Sequence, residues 1–270
     1  MTLDTCSNML VSYPKSGRTW VRFMLLTYLR LLSGEPGEHF MNDEESYFQR
    51  FGIRIGHAGA KFNYPYYAMP LEHLKTLTTD CCLLLVRNVY ETLNSSYYEV
   101  VYRQPQIGFN GSLEAFVRDP RFGPVKLATF FNVWTNEVVP RSNRAESMTY
   151  ADLRADTIGG FAQILEWFSI PLEMNHVEAA VESGRFDKML AASLDERCET
   201  PRLRPRDRHD ARTFKIRRAD PAEAATAFTP ETRRFVQQTM ESVLVPQAYR
   251  WIEPCIAEET PCVASVTREL

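Results

Sequence analysis

The period of the apolar residues changes once, abruptly, between Asn8 and Leu32, and no other stretch constrains the fold as much. Met9 to Tyr13 is a short apolar run closed by Pro14, the pattern of a buried strand. Past Ser16-Gly17 the apolar positions Trp20, Phe23, Met24, Tyr28 and Leu31 recur at helical spacing. A strand therefore passes through a tight turn directly into a helix. The first N–H groups of a helix are unpaired and carry partial positive charge, so an anion is favoured there. Lys15 stands in the turn, and Ser16 and Thr19 add hydroxyl donors beside it. The spacing predicts a cradle for phosphate or sulfate. It is not a Walker loop, because GxxxxGK[ST] is absent and Lys15 precedes the glycine.

The rest of the chain continues the alternation of strands and helices. Residues 33–52 are polar and acidic and read as a connection with one short helix. Phe51 to Ala60 alternates apolar and polar before two glycines, a strand running into a loop, with His57 near its end. Ligands gather at the carboxyl ends of strands in open α/β sheets, so His57 is either a ligand-facing base or a hydrogen-bonded loop histidine. In Phe62 to Met69, the aromatics Phe62, Tyr64, Tyr66 and Tyr67 crowd around Pro65. That run is either packed on the core or forms an aromatic wall for an acceptor molecule. Cys81 to Arg87 is continuously apolar up to its arginine, as in a central parallel strand covered on both faces. A helix follows through Glu91, Leu93, Ser95, Tyr98 and Val101. A strand-end arginine such as Arg87 and a serine such as Ser95 within the next helix can converge on one phosphate.

Further along, residues 111–123 read as a short helix and loop, and Val125 to Val138 as a helix with Leu127, Phe130, Phe131 and Trp134 in the core. Ser147 to Tyr150 reads as a short strand. A long helix to Phe168, interrupted at Gly159-Gly160, follows it, and then another from Glu173 to Ser183. Pro201 to Arg212 has the composition of a solvated, mobile loop. Thr229 and Pro230 open a last helix to Val243, as N-cap and first helical residue. Residues 257–270 read as a loose tail. The order predicts an α/β fold in a single domain spanning 1–270, with its core at about 9–243 and a central parallel sheet flanked by helices.

Composition narrows the function classes. A 270-residue chain with 44% hydrophobic residues fills a sizeable core. A net charge of −3 argues against general polyanion binding, so no nucleic-acid partner is expected and a nucleotide would need a local basic site. The six cysteines form no CxxC pair, which suits reduced thiols in a cytoplasmic protein rather than a zinc site. The N-terminus lacks a basic, apolar leader pattern, and Arg22 and Arg30 interrupt the most apolar helix, so no membrane span is expected.

The run Tyr13 to Trp20, YPKSGRTW, closely resembles the 5′-phosphosulfate loop of sulfotransferases that use 3′-phosphoadenosine-5′-phosphosulfate (PAPS). The usual loop there is YPKSGTTW, and the one departure is Arg18 in place of threonine. The segment RNVYETLNSSYYE is similar to that family's 3′-phosphate signature and sets Arg87 and Ser95 on its phosphate-binding positions. Tyr150-Ala151-Asp152 stands where the family has Tyr-Glu-Asp, and Gly184 to Met189 resembles its TSFxxM segment through Phe186. Arg217-Arg218-Ala219 stands in place of the basic RKG element, without its glycine and without the GDW element after it.

The resemblance implies a PAPS-dependent sulfotransferase that moves a sulfuryl group to a hydroxyl or amine of a small-molecule acceptor, leaving adenosine 3′,5′-bisphosphate (PAP), without a metal. Lys15, Ser16, Gly17, Arg18 and Thr19 would hold the 5′ end. Trp20, Tyr150 and Phe186 would hold the adenine, and Arg87, Ser95, Arg217 and Arg218 the 3′-phosphate. Lys15 would be the catalytic cation and His57 the base, with Phe62, Tyr64, Tyr66 and Tyr67 lining the acceptor pocket. The family's lysine two residues before its histidine is replaced here by Ile55. If His57 is not the base, His73 is the next candidate, and if neither histidine serves, a carboxylate such as Glu44 or Glu45 would have to. Competing readings are a small-molecule or nucleotide kinase and a non-catalytic adenosine-bisphosphate-binding module.

Overall fold

The computed structural model describes residues 5–56, 78–217 and 226–256. Four strands, β1 (Thr5–Ser12), β2 (Ile53–Gly56), β3 (Thr78–Val86) and β4 (Ser142–Thr149), form one parallel sheet in the order β2-β1-β3-β4. Register sets Leu10 beside Ile55 on one side and Leu83 on the other, and Leu85 beside Met148. The chain leaves β1 toward β2 and then returns across it to β3. The carboxyl ends of β1 and β3 therefore flank the point where the winding direction reverses, which is where a crevice opens in such sheets.

The loop after β1 enters α1 (Arg18–Leu32), followed by the short α2 (Glu44–Arg50). After β3 come α3 (Val89–Tyr98), α4 (Leu113–Arg118) and α5 (Pro124–Val133). Both α3 and α5 run on into a π turn, at Glu99–Arg103 and Trp134–Val138. After β4 come α6 (Tyr150–Ala155), α7 (Thr157–Trp167), α8 (Met174–Ser183) and α9 (Phe186–Leu194). The described part ends with α10 (Pro230–Val243) and α11 (Pro246–Ile256).

Side chains of a strand alternate between faces, and both faces of this sheet are covered. Met9, Val11, Cys82, Leu84 and Val86 join a core with α3, α5, α10 and α11. Leu10, Cys81, Leu83 and Leu85 join a second core with α1, α2, α7 and α8. The adjacent Cys81 and Cys82 thus face opposite ways, as strand geometry requires. Leu83 and Leu84 are wholly buried, and truncating either to alanine costs on the order of 2–5 kcal/mol.

Several boundaries differ from the sequence reading. β4 begins at Ser142, because it is the sheet edge and can carry the exposed Asn143 and Arg144 that make its sequence look like a loop. The helical region after it breaks at Asp156, whose Oδ1 accepts from Gly159 N at 2.9 Å and caps α7. A Cβ at position 159 would lie 2.2 Å from Asp156 Oδ2, so the glycine leaves room for the cap. Residues 201–212 are mostly exposed, as the composition predicts, but the segment is anchored to the body of the fold. Leu203 is wholly buried, Arg202 pairs with Glu44, and Arg103 donates to the carbonyls of Pro201 and Arg204. The core continues past Val243 through Ala248 and Ile252 of α11 to Ile256. The tail at 257–270 lies outside the described residues.

Candidate active site

The turn after β1 is built on two residues with left-handed backbone. Gly17, the N-cap of α1, has φ 93°, and Lys15 has φ 76° although it is not glycine. A long side chain held in that region signals a backbone constrained for function. No side chain caps the start of α1, so its first N–H groups stay available to an anion. Gly17 is also the point of closest approach to Tyr150 at the start of α6: a Cβ there would lie 2.6 Å from Tyr150 Cδ2. The Tyr150 ring meets Trp20 edge-on at 5.6 Å and carries the Arg87 guanidinium 4.8 Å from its centroid.

Arg87 ties the two central strands together at this point. Its Nη1 donates to the Lys15 carbonyl at 3.0 Å, and its Nε donates to Glu91 Oε2 at 2.7 Å. Asn88 then starts α3 by accepting from the N–H groups of Tyr90 and Glu91. The spacing of Glu91, Ser95 and Glu99, four residues apart, puts them on one face of the helix. Ser95 is half-buried between the two acids.

Sequence reading missed Glu99, a buried acid that joins the turn to cations elsewhere in the chain. Its carboxylate, with a side chain only 2% exposed, takes Lys15 Nζ at 2.8 Å and Lys215 Nζ at 3.3 Å on one oxygen. The other oxygen takes Arg103 Nη1 at 3.0 Å and Gln104 Nε2 at 2.8 Å. Burial alone would raise its pKa, but Lys15, Lys215 and Arg103 together hold the carboxyl well below the usual range. Burial lowers the Lys15 ammonium, and Glu99 opposes that shift. Burial and the neighbouring Lys15 push Lys215 down to about 7. The π turn brings Glu99 to this position, with Gln104 N donating to Glu99 O at 2.8 Å. Nothing in SSYYEVVYR announces that local change of pitch. Its two lysine partners stand 84 and 116 residues away in sequence.

A cavity of about 380 Å³ is lined by Tyr98, Phe186, Leu190, Arg212, Phe214 and Arg217, among others. Arg217 stacks on Tyr98 with its guanidinium 3.5 Å from the ring centroid. Trp20 approaches the same region from α1, its Nε1 donating to Gly184 O at 2.9 Å, just before Phe186 opens α9. The fold thus gathers Lys15, Ser16, Gly17, Trp20, Arg87 and Tyr150 around the turn, and Phe186 and Arg217 around one cavity.

Arg18 is directed differently. Its Nη1 donates to Gly56 O at 2.7 Å and to Ser12 O and Oγ at 3.3 and 3.1 Å, linking the ends of β1 and β2. Glu44 is buried and takes Arg22 Nε at 3.0 Å together with Arg202, so it is committed to an ion-pair network. His57, Phe62, Tyr64, Tyr66, Tyr67 and Arg218 lie outside the described residues. Among the described residues, no group of three or more His, Cys, Asp or Glu could hold a metal ion.

No family model matches the sequence, and no curated protein matches it. Solved structures do match the fold. A mouse sulfotransferase, SULT7A1, crystallised with PAP superimposes with TM-score 0.56 at 14% identity, over 92% of this chain and 88% of the other. A retinol dehydratase in complex with androsterone and PAP gives TM-score 0.57 at 13% identity, over 90% of this chain and 81% of the other. The same kind of protein with retinol and PAP gives 0.50 at 14% identity, over 100% of this chain and 84% of the other. The chain has the sulfotransferase fold, a parallel four-stranded sheet flanked by helices.

Proposed function

We propose that the chain is a sulfotransferase, transferring a sulfuryl group from PAPS to a hydroxyl or amine of a small-molecule acceptor. One observation carries the reading: the strained Lys15 turn of the YPKSG sequence stands at the switch point between β1 and β3, clasped by Arg87. The residues present fit such a donor. The Tyr150 ring packs directly on the turn because Gly17 lacks a Cβ, and a cavity is aromatic at Tyr98 and Phe186 and basic at Arg212 and Arg217. The likeness to PAP-bound structures supports the choice of nucleotide.

PAPS supplies an activated sulfuryl group whose leaving group is a phosphate. The acceptor oxygen or nitrogen attacks sulfur, the bond from sulfur to the bridging oxygen breaks with its electron pair, and the acceptor's proton passes to a base. Lys15 and the N–H groups opening α1 stabilise the charge that develops on the leaving phosphate. Trp20, Tyr150 and Phe186 hold the adenine, and Arg87, Ser95, Arg217 and Arg218 hold the 3′-phosphate. His57 takes the proton, a role that imidazole suits near neutral pH. The aromatics Phe62, Tyr64, Tyr66 and Tyr67 line the acceptor pocket. Sulfuryl groups carry less charge than phosphoryl groups, so these donors work without a metal ion. Free thiols at Cys81 and Cys198 suit a cytoplasmic setting, and no described helix is long and apolar enough to cross a membrane.

Incubation with ³⁵S-labelled PAPS and a panel of phenols, alcohols, amines and peptides tests the reading. Labelled product formed in the presence of EDTA supports it. Donor that binds but transfers to nothing in the panel would reduce the protein to a binding module.

A further inference from the structure

The cluster around Glu99 contains more positive charge than its carboxylate neutralises. Lys15, Lys215 and Arg103 all pair with Glu99, which is the only carboxylate paired with any of them among the described residues. The exposures of the Lys15, Arg103 and Lys215 side chains are only 11%, 10% and 21%. Uncompensated cations removed from water are costly, and an arrangement that keeps them is suited to receiving an anion. Lys15 and Lys215 reach the same oxygen, Glu99 Oε2, so their ammonium groups lie side by side although they come from opposite ends of the chain.

Resting on the functional reading above, we infer that Lys215 is a second cation for the 5′ phosphosulfate end of the donor, forming with Lys15 a two-lysine clamp that Glu99 positions. Lys215 directly precedes Ile216 and Arg217 of the cavity wall, so one short segment would meet both the 5′ anion and the nucleoside pocket. Glu99 aims both ammonium groups at a common point and is itself a positioning residue, touching no substrate. The groups that face Lys215 are Lys15 from the turn and Glu99 and Arg103 from the π turn. Burial and Lys15 lower its pKa to about 7. Above that pH the free protein has lost much of the Lys215 charge, and an arriving anion restores the proton. Binding therefore takes up a proton at pH 8 and weakens as pH rises.

The test is calorimetry on the full chain at pH 8 in two buffers of different ionisation enthalpy. PAP, 3′-adenosine monophosphate and inorganic pyrophosphate serve as probes. In the unmodified protein, PAP binds tighter than 3′-adenosine monophosphate and with net proton uptake. Lys215→Met should reduce that preference by about tenfold or more, the scale of one charge-assisted hydrogen bond, and abolish the uptake. Lys215→Arg should keep the preference and lose the uptake, which separates a charge at this position from a merely structural side chain. If Lys215→Met leaves both preference and uptake intact, the clamp is refuted. Pyrophosphate keeps the two possible failures apart. If the unmodified protein ignores PAP, the functional reading falls. The clamp then survives only if pyrophosphate binds the unmodified protein and not Lys215→Met, and equal responses overturn it.

Discussion

Gly17→Ala is the smallest change that should disable the site, and its cost follows from one backbone angle and two contact distances. At φ 93° an L-residue is strained, which costs roughly 1–2 kcal/mol. The added Cβ would lie 2.6 and 3.0 Å from Tyr150 Cδ2 and Cε2, so the ring must move, an overpacking cost of about 1–3 kcal/mol. For a domain near this size, the resulting loss lowers the melting midpoint by on the order of 5–15 °C. Moving Tyr150 also disturbs its contacts with Trp20 and Arg87, so PAP binding should weaken along with stability. A double-mutant cycle separates the two costs. Tyr150→Ala relieves the overlap but not the backbone strain, so in the Gly17→Ala background it should destabilise less than in the unmodified protein. The expected coupling is about 1–3 kcal/mol by denaturant melts. Additivity within about 0.5 kcal/mol would refute the claim that the turn and the start of α6 are packed against each other through this glycine.

Three further substitutions bear on the chemistry. Lys15→Ala should cut turnover by on the order of a hundredfold or more, the scale of losing one transition-state donor, while PAP affinity falls less. An unchanged rate would remove the turn from the reaction. Arg87→Ala should raise the dissociation constant of PAP by about ten- to a hundredfold and erase the preference for it over 5′-adenosine monophosphate. A mutant that still discriminates would show that Arg87 serves only to clasp Lys15 and Glu91. His57→Ala should lose turnover while keeping PAP affinity, and His73→Ala should keep both. The reverse result in a paired assay would move the base to His73.

The site was legible where its chemistry is written in consecutive residues. The change from strand to helical period at Ser16-Gly17 announces β1, the turn and α1, and the apolar run ending at Arg87 announces β3. Thr229 and Pro230 mark the start of α10, and the Thr229 side chain accepts from Thr232 N there. Legibility failed where tertiary position overrides composition. Ser142 to Glu146 is polar because an edge strand needs burial on few of its residues. The arginine-rich stretch from Pro201 is largely exposed, yet Arg202 and Arg206 pin it to Glu44 and to the carbonyl of Tyr102. Glu99 stands in an aromatic run with no local signature, and a π turn supplies the pitch that aims it at Lys15. Arg18 was read with the phosphate cradle because it is contiguous with it, but its Nη1 spans to the end of β2.

Titration calorimetry with PAP in EDTA, set beside ATP with Mg²⁺, asks directly whether the Lys15 turn holds a 3′-phosphorylated adenine nucleotide without a metal ion. One PAP per chain should bind in EDTA, with weaker or absent binding of ATP with Mg²⁺. Tight binding of ATP that requires Mg²⁺, with none for PAP, would contradict that expectation.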